Sequence, residues 1–138
     1  MYPAIEYRDG IPDAGMFIEL YRTTGWDKEG KKSEELLHGA LRNSWYVVAA
    51  YAAGRLVGCG RIVSDGHMHA YVNEMIVLPA FQGRGIGKEI LGRLTAKALG
   101  AGITDIQLFA AEGKKEFYLK NGFEERPAGA PGMQYREK

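Results

Sequence analysis

The spacing of apolar residues along the chain predicts a mixed α/β fold. From residue 45 to residue 78 the sequence is dominated by apolar runs, separated at Ala53-Gly54 and Asp65-Gly66 by turn signals, which predicts three antiparallel strands. The runs are nearly continuous and not alternating, so we expect strands that are covered on both faces. Farther along, apolar residues recur every four positions, which predicts an amphipathic helix. These residues are Ile86, Ile90, Leu94 and Ala98.

The same patterns, read over the whole chain, predict eleven elements in the order β-α-α-β-β-β-α-β-α-β-β. The expected strands are Ala4–Tyr7, Trp45–Tyr51, Leu56–Ser64, Ala70–Leu78, Ile103–Ala110, Phe123–Glu125 and Met133–Arg136. The first two helices are expected to begin at the N-caps Asp13 and Ser33 and to end near Tyr21 and Asn43. The third is stopped by Gly100 and Gly102, and the fourth runs from Glu112 to Asn121.

The composition fits one ordinary domain over residues 1–138, with 46% hydrophobic and 25% charged residues. The formal net charge is +1, so we expect no binding to nucleic acid or to an anionic membrane. Cys59 is the single cysteine, which excludes an internal disulfide and fits a cytoplasmic protein. We expect no metal site, and we interpret Cys59, between two glycines in a strand, as a small buried residue and not a nucleophile.

The most informative stretch is the glycine-rich turn from Gln82 to Lys88, which joins an apolar strand to the predicted third helix. Such a turn directs several backbone N–H groups, together with the positive end of the helix dipole, towards one point, and this suits a phosphate. A Walker A loop does not fit, because the glycine and the hydroxyl residue that it requires are replaced by Gln82 and Glu89. A dinucleotide fingerprint does not fit either, because Lys88 stands where its third glycine should be.

The pattern Gln82-x-x-Gly85-x-Gly87 resembles the acetyl-CoA-binding motif of the GNAT superfamily of N-acetyltransferases. The predicted element order is similar to that family's fold over nearly the whole chain. The segment from Tyr118 to Gly122-Phe123 adds support, since it matches the family's Tyr-x-x-x-Gly-Phe. The resemblance implies an α/β (α+β) fold with a mixed central sheet of about six to seven strands, splayed at the acetyl-CoA slot. We place the bulge that opens this slot at Asn73–Met75.

The resemblance also implies the residues that bind acetyl-CoA. Backbone groups of the strand are expected to pair with the pantetheine arm, and amides of the turn are expected to hold the pyrophosphate, with Arg84 adding a charge. The expected cofactor-binding residues are Met75, Ile76, Val77, Gln82, Gly83, Arg84, Gly85, Ile86, Gly87, Lys88 and Tyr118.

Acetyl transfer to an amine requires a proton donor for the departing thiolate and a base for the incoming ammonium. Tyr118 occupies the position of the family's general acid, and a phenol is protonated at neutral pH. For the base we prefer Glu74, at the expected opening of the slot, over Tyr71, His67 and His69. The family often has an asparagine shortly before the helix that carries the tyrosine, where this chain has Ala110-Ala111-Glu112-Gly113.

Four short phrases resemble a small single-domain bacterial branch that is similar to the plant and cyanobacterial aralkylamine (serotonin-type) N-acetyltransferases. They are Leu20–Trp26, Ala40–Ser44, Ser64–Gly66 and Gly132-Met133. This resemblance implies a small-molecule amine as acceptor, and a homodimer. It agrees with a pocket edged by Trp26, Trp45 and Tyr71, which suits an aromatic amine. Acetylation of a protein lysine or N-terminus, and a non-catalytic CoA-binding module, remain the alternatives.

Overall fold

A computed structural model describes residues 3–137 and divides the chain into two compact units, Met1–Leu108 and Phe109–Lys138. The first unit holds five strands: β1 (Ile5–Asp9), β2 (Tyr46–Ala52), β3 (Arg55–Ser64), β4 (His69–Val77) and β5 (Asp105–Leu108). It also holds three α-helices: α1 (Ala14–Arg22), α2 (Glu34–Arg42) and α3 (Ile86–Gly100). The second unit contains α4 (Lys115–Lys120). A single domain over residues 1–138 stays a prediction.

The strands form one mixed sheet in the order β1-β2-β3-β4-β5. The first three pairings are antiparallel, and β5 lies parallel to β4 because α3 forms the crossover between them. Side chains start the first two helices as predicted: Asp13 accepts a hydrogen bond from the Met16 amide, and Ser33 accepts one from the Leu36 amide. The first nine elements therefore follow the predicted order.

The core lies between the sheet and its helices, and α3 packs on one face of the sheet as the apolar spacing predicts. Ile86, Ile90, Leu94 and Ala98 are all buried. They pack against β3, where Gly58 and Gly60 bring the helix close to the strand. In the middle of β2, residues 47–50 are all buried, which confirms that this strand is covered on both faces. Among residues 3–137, no helix has the length and apolar character needed to cross a membrane.

The prediction of six to seven strands is wrong, because the sheet described for residues 3–137 has five. The expected strands Phe123–Glu125 and Met133–Arg136 are irregular segments. Pro127 and Pro131 interrupt this part of the chain, and proline cannot donate a ladder hydrogen bond. The segment between them closes as a turn, in which the Ala130 amide donates to the Pro127 carbonyl.

Candidate active site

The central feature of the site is a bulge in β4 at the place where the sequence predicts it. Cys59 pairs with Ile76 and Arg61 pairs with Asn73, so Glu74 and Met75 together face the single residue Gly60. Glu74 adopts φ +48°, in the left-handed region that residues with a Cβ avoid. This extra residue interrupts the β3–β4 ladder and bends the strand, as bulges next to active sites commonly do. The predicted bulge at Asn73–Met75 is confirmed.

Beyond the bulge, β4 is paired with β3 on one side and is no longer paired with β5 on the other. Its parallel ladder with β5 ends where Val72 faces Leu108. The Leu78 amide donates to the Val57 carbonyl at 2.8 Å, so the backbone groups of Leu78 point towards β3. By the alternation of an antiparallel ladder, Ile76 also directs its backbone groups to β3, whereas Met75 and Val77 direct theirs to the opposite side.

The glycine turn has the geometry that an anion site needs. Gly83 and Gly85 lie at φ +78° and +83°, conformations in which a Cβ is strained. Gly85 is the N-cap of α3 and has no side chain to cap the helix. The first hydrogen bond back to it comes from the Glu89 amide, so the amides of residues 86–88 have no acceptor within the helix. These amides and the helix dipole favour an anion at this end.

Two side chains of the turn fix its position. The Gln82 side-chain amide donates to the Val77 carbonyl at 2.9 Å, which ties the turn to the end of β4. The Arg84 guanidinium lies 4.9 Å above the centre of the Phe81 ring, a cation–π contact that holds a positive charge beside the start of α3. The predicted cofactor-binding residues of the first unit, Met75 to Lys88, therefore lie along one continuous path, from the bulge to the first turn of α3.

Glu74, the predicted base, is engaged by an arginine. Its Oε1 accepts a hydrogen bond from Arg61 Nε at 2.9 Å, and the side chains of Arg61 and Glu74 are 15% and 25% exposed. Electrostatics also couple Glu74 to the loop between α1 and α2. The pKa of Lys32 is raised, mainly by its hydrogen bond to the Tyr21 hydroxyl and in smaller part by the Glu74 charge. Proton transfer to Glu74 would have to compete with the Arg61 ion pair.

The other residues that were considered as the base lie at the opposite end of β4. His67 is exposed in the β3–β4 turn, where the Asp65 carboxylate accepts three backbone N–H bonds that lower the pKa of Asp65 to about 2. His69 Nδ1 lies 2.6 Å from Asp105 Oδ2 at the start of β5, and the His69 ring stacks at 6.5 Å on Tyr71. Cys59 is fully buried, and burial raises the pKa of its thiol, which agrees with a structural role.

Tyr118 belongs to the second unit and lies in an aromatic cluster there. Its ring centre is 5.1 Å from that of Phe117 and 6.0 Å from that of Phe123, both in edge-on geometry. Burial raises the pKa of the phenol above its ordinary value of 10.0, so the hydroxyl keeps its proton through the neutral range. Phe123 is held next to Tyr118 because its amide donates to the Tyr118 carbonyl at 3.1 Å.

The three residues predicted to edge the acceptor pocket have different neighbours. Trp26 is 43% exposed and packs edge-on against Tyr21, in the loop between α1 and α2. Trp45 packs edge-on against Tyr46 and lies beside the β3–β4 turn at Gly66. Tyr71 stacks on His69 and is 38% exposed. Among the described residues, no ring contact joins these three side chains.

Two residues that shape the bulge, Gly60 and Arg61, were not predicted from the sequence. A Cβ built on Gly60 would lie 2.6 Å from Met75 Sδ, so this glycine leaves room for the side chain of Met75, the second residue of the bulge. Arg61 pairs with the bulge residue Glu74. A signal was present, because glycine inside a strand marks a close approach, and a charged residue in an otherwise apolar strand requires a partner.

Comparisons with known proteins agree with this geometry. Residues 42–125 match the family model described as Acetyltransferase (GNAT) domain. The chain is 32% identical to an uncharacterized N-acetyltransferase of Pyropia yezoensis, over 94% of this chain and 78% of that protein. It is 33% identical to a chloroplastic serotonin N-acetyltransferase of Oryza sativa, over 89% of this chain and 62% of the rice protein. It is also 34% identical to a histone acetyltransferase of Glycine max, over 70% of this chain and 47% of that protein. The chain thus spans less than two thirds of the two relatives that have a named substrate.

Solved structures share the fold. A probable acetyltransferase of Staphylococcus aureus superposes with a TM-score of 0.84 at 23% identity, over 97% of this chain and all of that one. A predicted acetyltransferase of Clostridium acetobutylicum superposes with a TM-score of 0.75 at 18% identity, over 96% of both chains, and that protein was solved with acetyl-CoA. With the bulged β4, the glycine turn and the matched domain together, the chain belongs to the GNAT family of acetyl-CoA-dependent N-acetyltransferases.

Proposed function

We propose that the chain transfers the acetyl group of acetyl-CoA to a primary amine by direct attack in a ternary complex, and that the acceptor is a small aromatic amine. The observation that carries the proposal is the continuous path from the bulge of β4 to the uncapped start of α3. It presents outward backbone groups for an extended chain and then amides for a diphosphate. Pantetheine followed by pyrophosphate has this order of chemistry.

For the donor, we assign the pantetheine contacts to the backbone of Met75 and Val77, since Ile76 directs its groups to β3. The Val77 carbonyl already accepts from Gln82, so its amide is the group left for the ligand. The amides of residues 83–88 hold the pyrophosphate, and the Arg84 guanidinium supplies a positive charge. Tyr118 is assigned to the end of the cofactor that carries the thioester.

For the chemistry, the amine nitrogen attacks the thioester carbonyl, a C–N bond forms, and the C–S bond breaks. The leaving thiolate takes the Tyr118 hydroxyl proton, which is available because burial raises the pKa of that phenol. The amine must first lose a proton, since an alkyl ammonium has a pKa of about 10.4. After the attack the nitrogen releases its second proton to water to give the amide, and the Tyr118 phenolate recovers a proton from water. We keep Glu74 as the candidate base. Its ion pair with Arg61 competes with proton uptake by the carboxylate.

The acceptor is proposed from two observations. Trp26 is a half-exposed aromatic side chain in the α1–α2 loop, where it packs edge-on against Tyr21. The rice relative is named for serotonin, an aromatic primary amine. Trp45 and Tyr71 complete the proposed aromatic edge, although each packs among its own neighbours.

The deciding experiment is an acceptor screen that follows thiol release from acetyl-CoA, with products identified by mass spectrometry. The panel holds serotonin, tryptamine, a polyamine and a lysine-containing histone peptide, and CoA binding is measured in parallel by titration calorimetry. We expect serotonin or tryptamine to show the highest kcat/KM. Acetylation of the peptide alone would favour protein acetylation, to which the soybean relative points. Tight CoA binding without turnover on any amine would favour a non-catalytic CoA-binding module.

Three further properties are proposals of the same kind. We propose a homodimer, to be tested by light scattering coupled to size-exclusion chromatography. We propose a cytoplasmic location, whereas the rice relative is named as a chloroplast protein, and localisation of the tagged full-length protein decides between the two. We also propose that nucleic acid is not a partner, because the formal net charge is only +1.

A further inference from the structure

Glu74 is the residue of β4 whose backbone is under strain. It lies at φ +48° at the bulge, in a part of the chain where its neighbours are in extended strand conformation. The left-handed region disfavours a residue with a Cβ by a factor of about 5–30 in a two-state population. Such a conformation persists where surrounding contacts over-determine it. Contacts from neighbouring residues must therefore stabilise Glu74 in this conformation.

Two residues of β3 hold Glu74 at two of its groups. Arg61 Nε donates to the Glu74 carboxylate at 2.9 Å, and the Cys59 thiol donates to the Glu74 carbonyl at 3.5 Å. Residues 59 and 61 lie on one face of β3, since alternate residues of a strand share a face. The carboxylate and the carbonyl of one strained residue are thus fixed from the neighbouring strand.

Arg61 is itself anchored at the end of α2. Its Nη1 lies 3.3 Å from Ser44 Oγ and 3.5 Å from the Ala40 carbonyl oxygen. The side chain is 15% exposed, so the guanidinium has little freedom to move. A second Arg–Glu pair in the same sheet differs in this respect, because Arg8 and Glu6 are 56% and 61% exposed on β1. Compared with the Arg8–Glu6 pair, the Arg61–Glu74 pair is partly buried, and its arginine makes further hydrogen bonds near the end of α2.

We propose that Arg61 is a positioning residue for the donor site, which acts through Glu74 by holding the bulge of β4 in its strained conformation. This rests on the proposed function in one respect, that the outward groups of Met75 and Val77 receive the pantetheine arm. Glu74 immediately precedes Met75, so a change in its φ swings the backbone that follows. Without the arginine, the binding-competent bulge becomes a minor population, and the affinity for CoA falls by that fraction.

The test measures the Kd of CoA by titration calorimetry, with Tm recorded for each variant. Arg61→Met is expected to raise the Kd by about 10-fold, within the range set by the strain at Glu74. Arg8→Met, the matched control, removes the exposed Arg–Glu pair and is expected to leave the Kd unchanged. Equal Kd values for Arg61→Met and the wild type would overturn the proposal.

A rescue separates positioning from a general loss of structure. Glycine adopts φ +48° without support, so Arg61→Met combined with Glu74→Gly is expected to return the Kd to within about 3-fold of wild type. A double variant that binds CoA as weakly as Arg61→Met, or more weakly, would overturn the proposal. Should Arg61→Met be too unstable to titrate, Glu74→Gln weakens the same pair from the other side. The Kd of CoA for Glu74→Gln must then rise at least about 3-fold, and an unchanged Kd would overturn the positioning role of Arg61.

The readouts distinguish this inference from the proposed function. Wild-type protein that fails to bind CoA would refute the proposed function itself. Wild-type protein that binds CoA without turnover on any amine would refute the catalytic proposal and leave the Arg61 test intact, because that test needs binding alone. Wild-type binding and turnover with no effect at Arg61 would refute the present inference alone.

Discussion

The donor side and the acceptor side of the proposed site are built in different ways. The donor side is one stretch of chain, residues 73–88, in which a bulge, an outward-facing strand edge, a glycine turn and a helix start follow one another. The proposed acceptor side combines Trp26 from the α1–α2 loop, Trp45 from before β2 and Tyr71 from β4, and each of these side chains has separate neighbours.

The two sides differ in the chemical groups proposed to bind the substrates. The donor side relies on backbone amides and carbonyls, whose directions follow from local conformation, so a short motif is sufficient to specify it. The acceptor side relies on side chains brought together by the fold. Such a set can change without altering the donor stretch, which is how one fold can acetylate many different amines.

The largest expected effect comes from the chemistry that joins the two sides. Tyr118→Phe keeps the ring in its cluster with Phe117 and Phe123 and removes the proton donor. We expect kcat to fall by about 10²–10⁴, the usual contribution of a general acid, and the Kd of CoA to change far less, since the other contacts with the cofactor remain. Tyr135→Phe is the matched control, because Tyr135 is 89% exposed. Undiminished kcat in Tyr118→Phe would refute the acid role.

The same assignment predicts a pH dependence. The Tyr118 hydroxyl donates its proton in the neutral form, and its pKa is raised above 10.0 by burial. The protonated phenol is thus fully present at neutral pH and is lost as pH rises through the raised value, which lies above 10.0. We expect kcat of the wild type to decline on the alkaline side only above about pH 10, and we expect Tyr118→Phe to lack that decline. An alkaline decline in both proteins would assign it to another group.

The next effect tests how tightly the donor strand is packed. Gly60→Ala would place a Cβ at 2.6 Å from Met75 Sδ and 2.9 Å from both Ile90 and Leu94. We expect a loss of about 1–3 kcal/mol in the free energy of unfolding, as for other overpacked cores. Gly92→Ala, on an open surface of α3, is expected to stabilise by about 0.5–1 kcal/mol. Denaturant titration measures both changes. A Gly60→Ala protein as stable as the wild type would show that the side chains around Gly60 can move to accommodate a methyl group.

A smaller effect isolates the glycine turn. Gly85→Ala introduces a Cβ at φ +83°, which costs about 1–2 kcal/mol in the conformation that presents the helix amides. We expect the KM for acetyl-CoA to rise about 10-fold, with the KM for the amine unchanged. Gly100→Ala, at the other end of α3 in open space, serves as the control. A rise in the amine KM instead would contradict the separation of donor and acceptor sides.

The smallest effect is expected on the acceptor side. Trp26→Ala removes a half-exposed ring next to Tyr21, and we expect the amine KM to rise by roughly 3–10-fold, the loss of about 1 kcal/mol of aromatic contact. The KM for acetyl-CoA should not change. Trp45→Ala is the informative partner, because Trp45 packs at the β3–β4 turn. If Trp45→Ala alone affects the amine KM, the acceptor lies on that side of the sheet.

Agreement between the predicted and observed structure depends on the range of the interactions. The bulge at Asn73–Met75 was expected from the resemblance to the GNAT family, in which the strand that carries the motif bulges, and the register of β3 against β4 confirms it. The α3 helix was predictable from the four-residue spacing of its apolar face. The last two strands were not, because a strand requires a partner edge, and short apolar segments flanked by Pro127 and Pro131 do not reveal whether one is present.

The side-chain partners were the least predictable part of the site. Glu74 was chosen as a base from its position alone, and its pairing with Arg61, thirteen residues earlier, depends on the register of β3 against β4. A shift of one residue in that register would turn Arg61 to the other face. The pairing of His69 with Asp105 likewise requires the parallel alignment of β4 and β5, which no local pattern encodes.

The amino-acid order was enough to identify the family, its acetyl-CoA donor and the turn proposed to bind it, because glycine positions and apolar spacing act over a few residues. Folding in three dimensions set the register of β3 and β4, and with it the strained Glu74, the Arg61 contact and the room above Gly60. The physical reason is that backbone conformation is a local property, whereas pairing between strands joins residues that are distant in the chain.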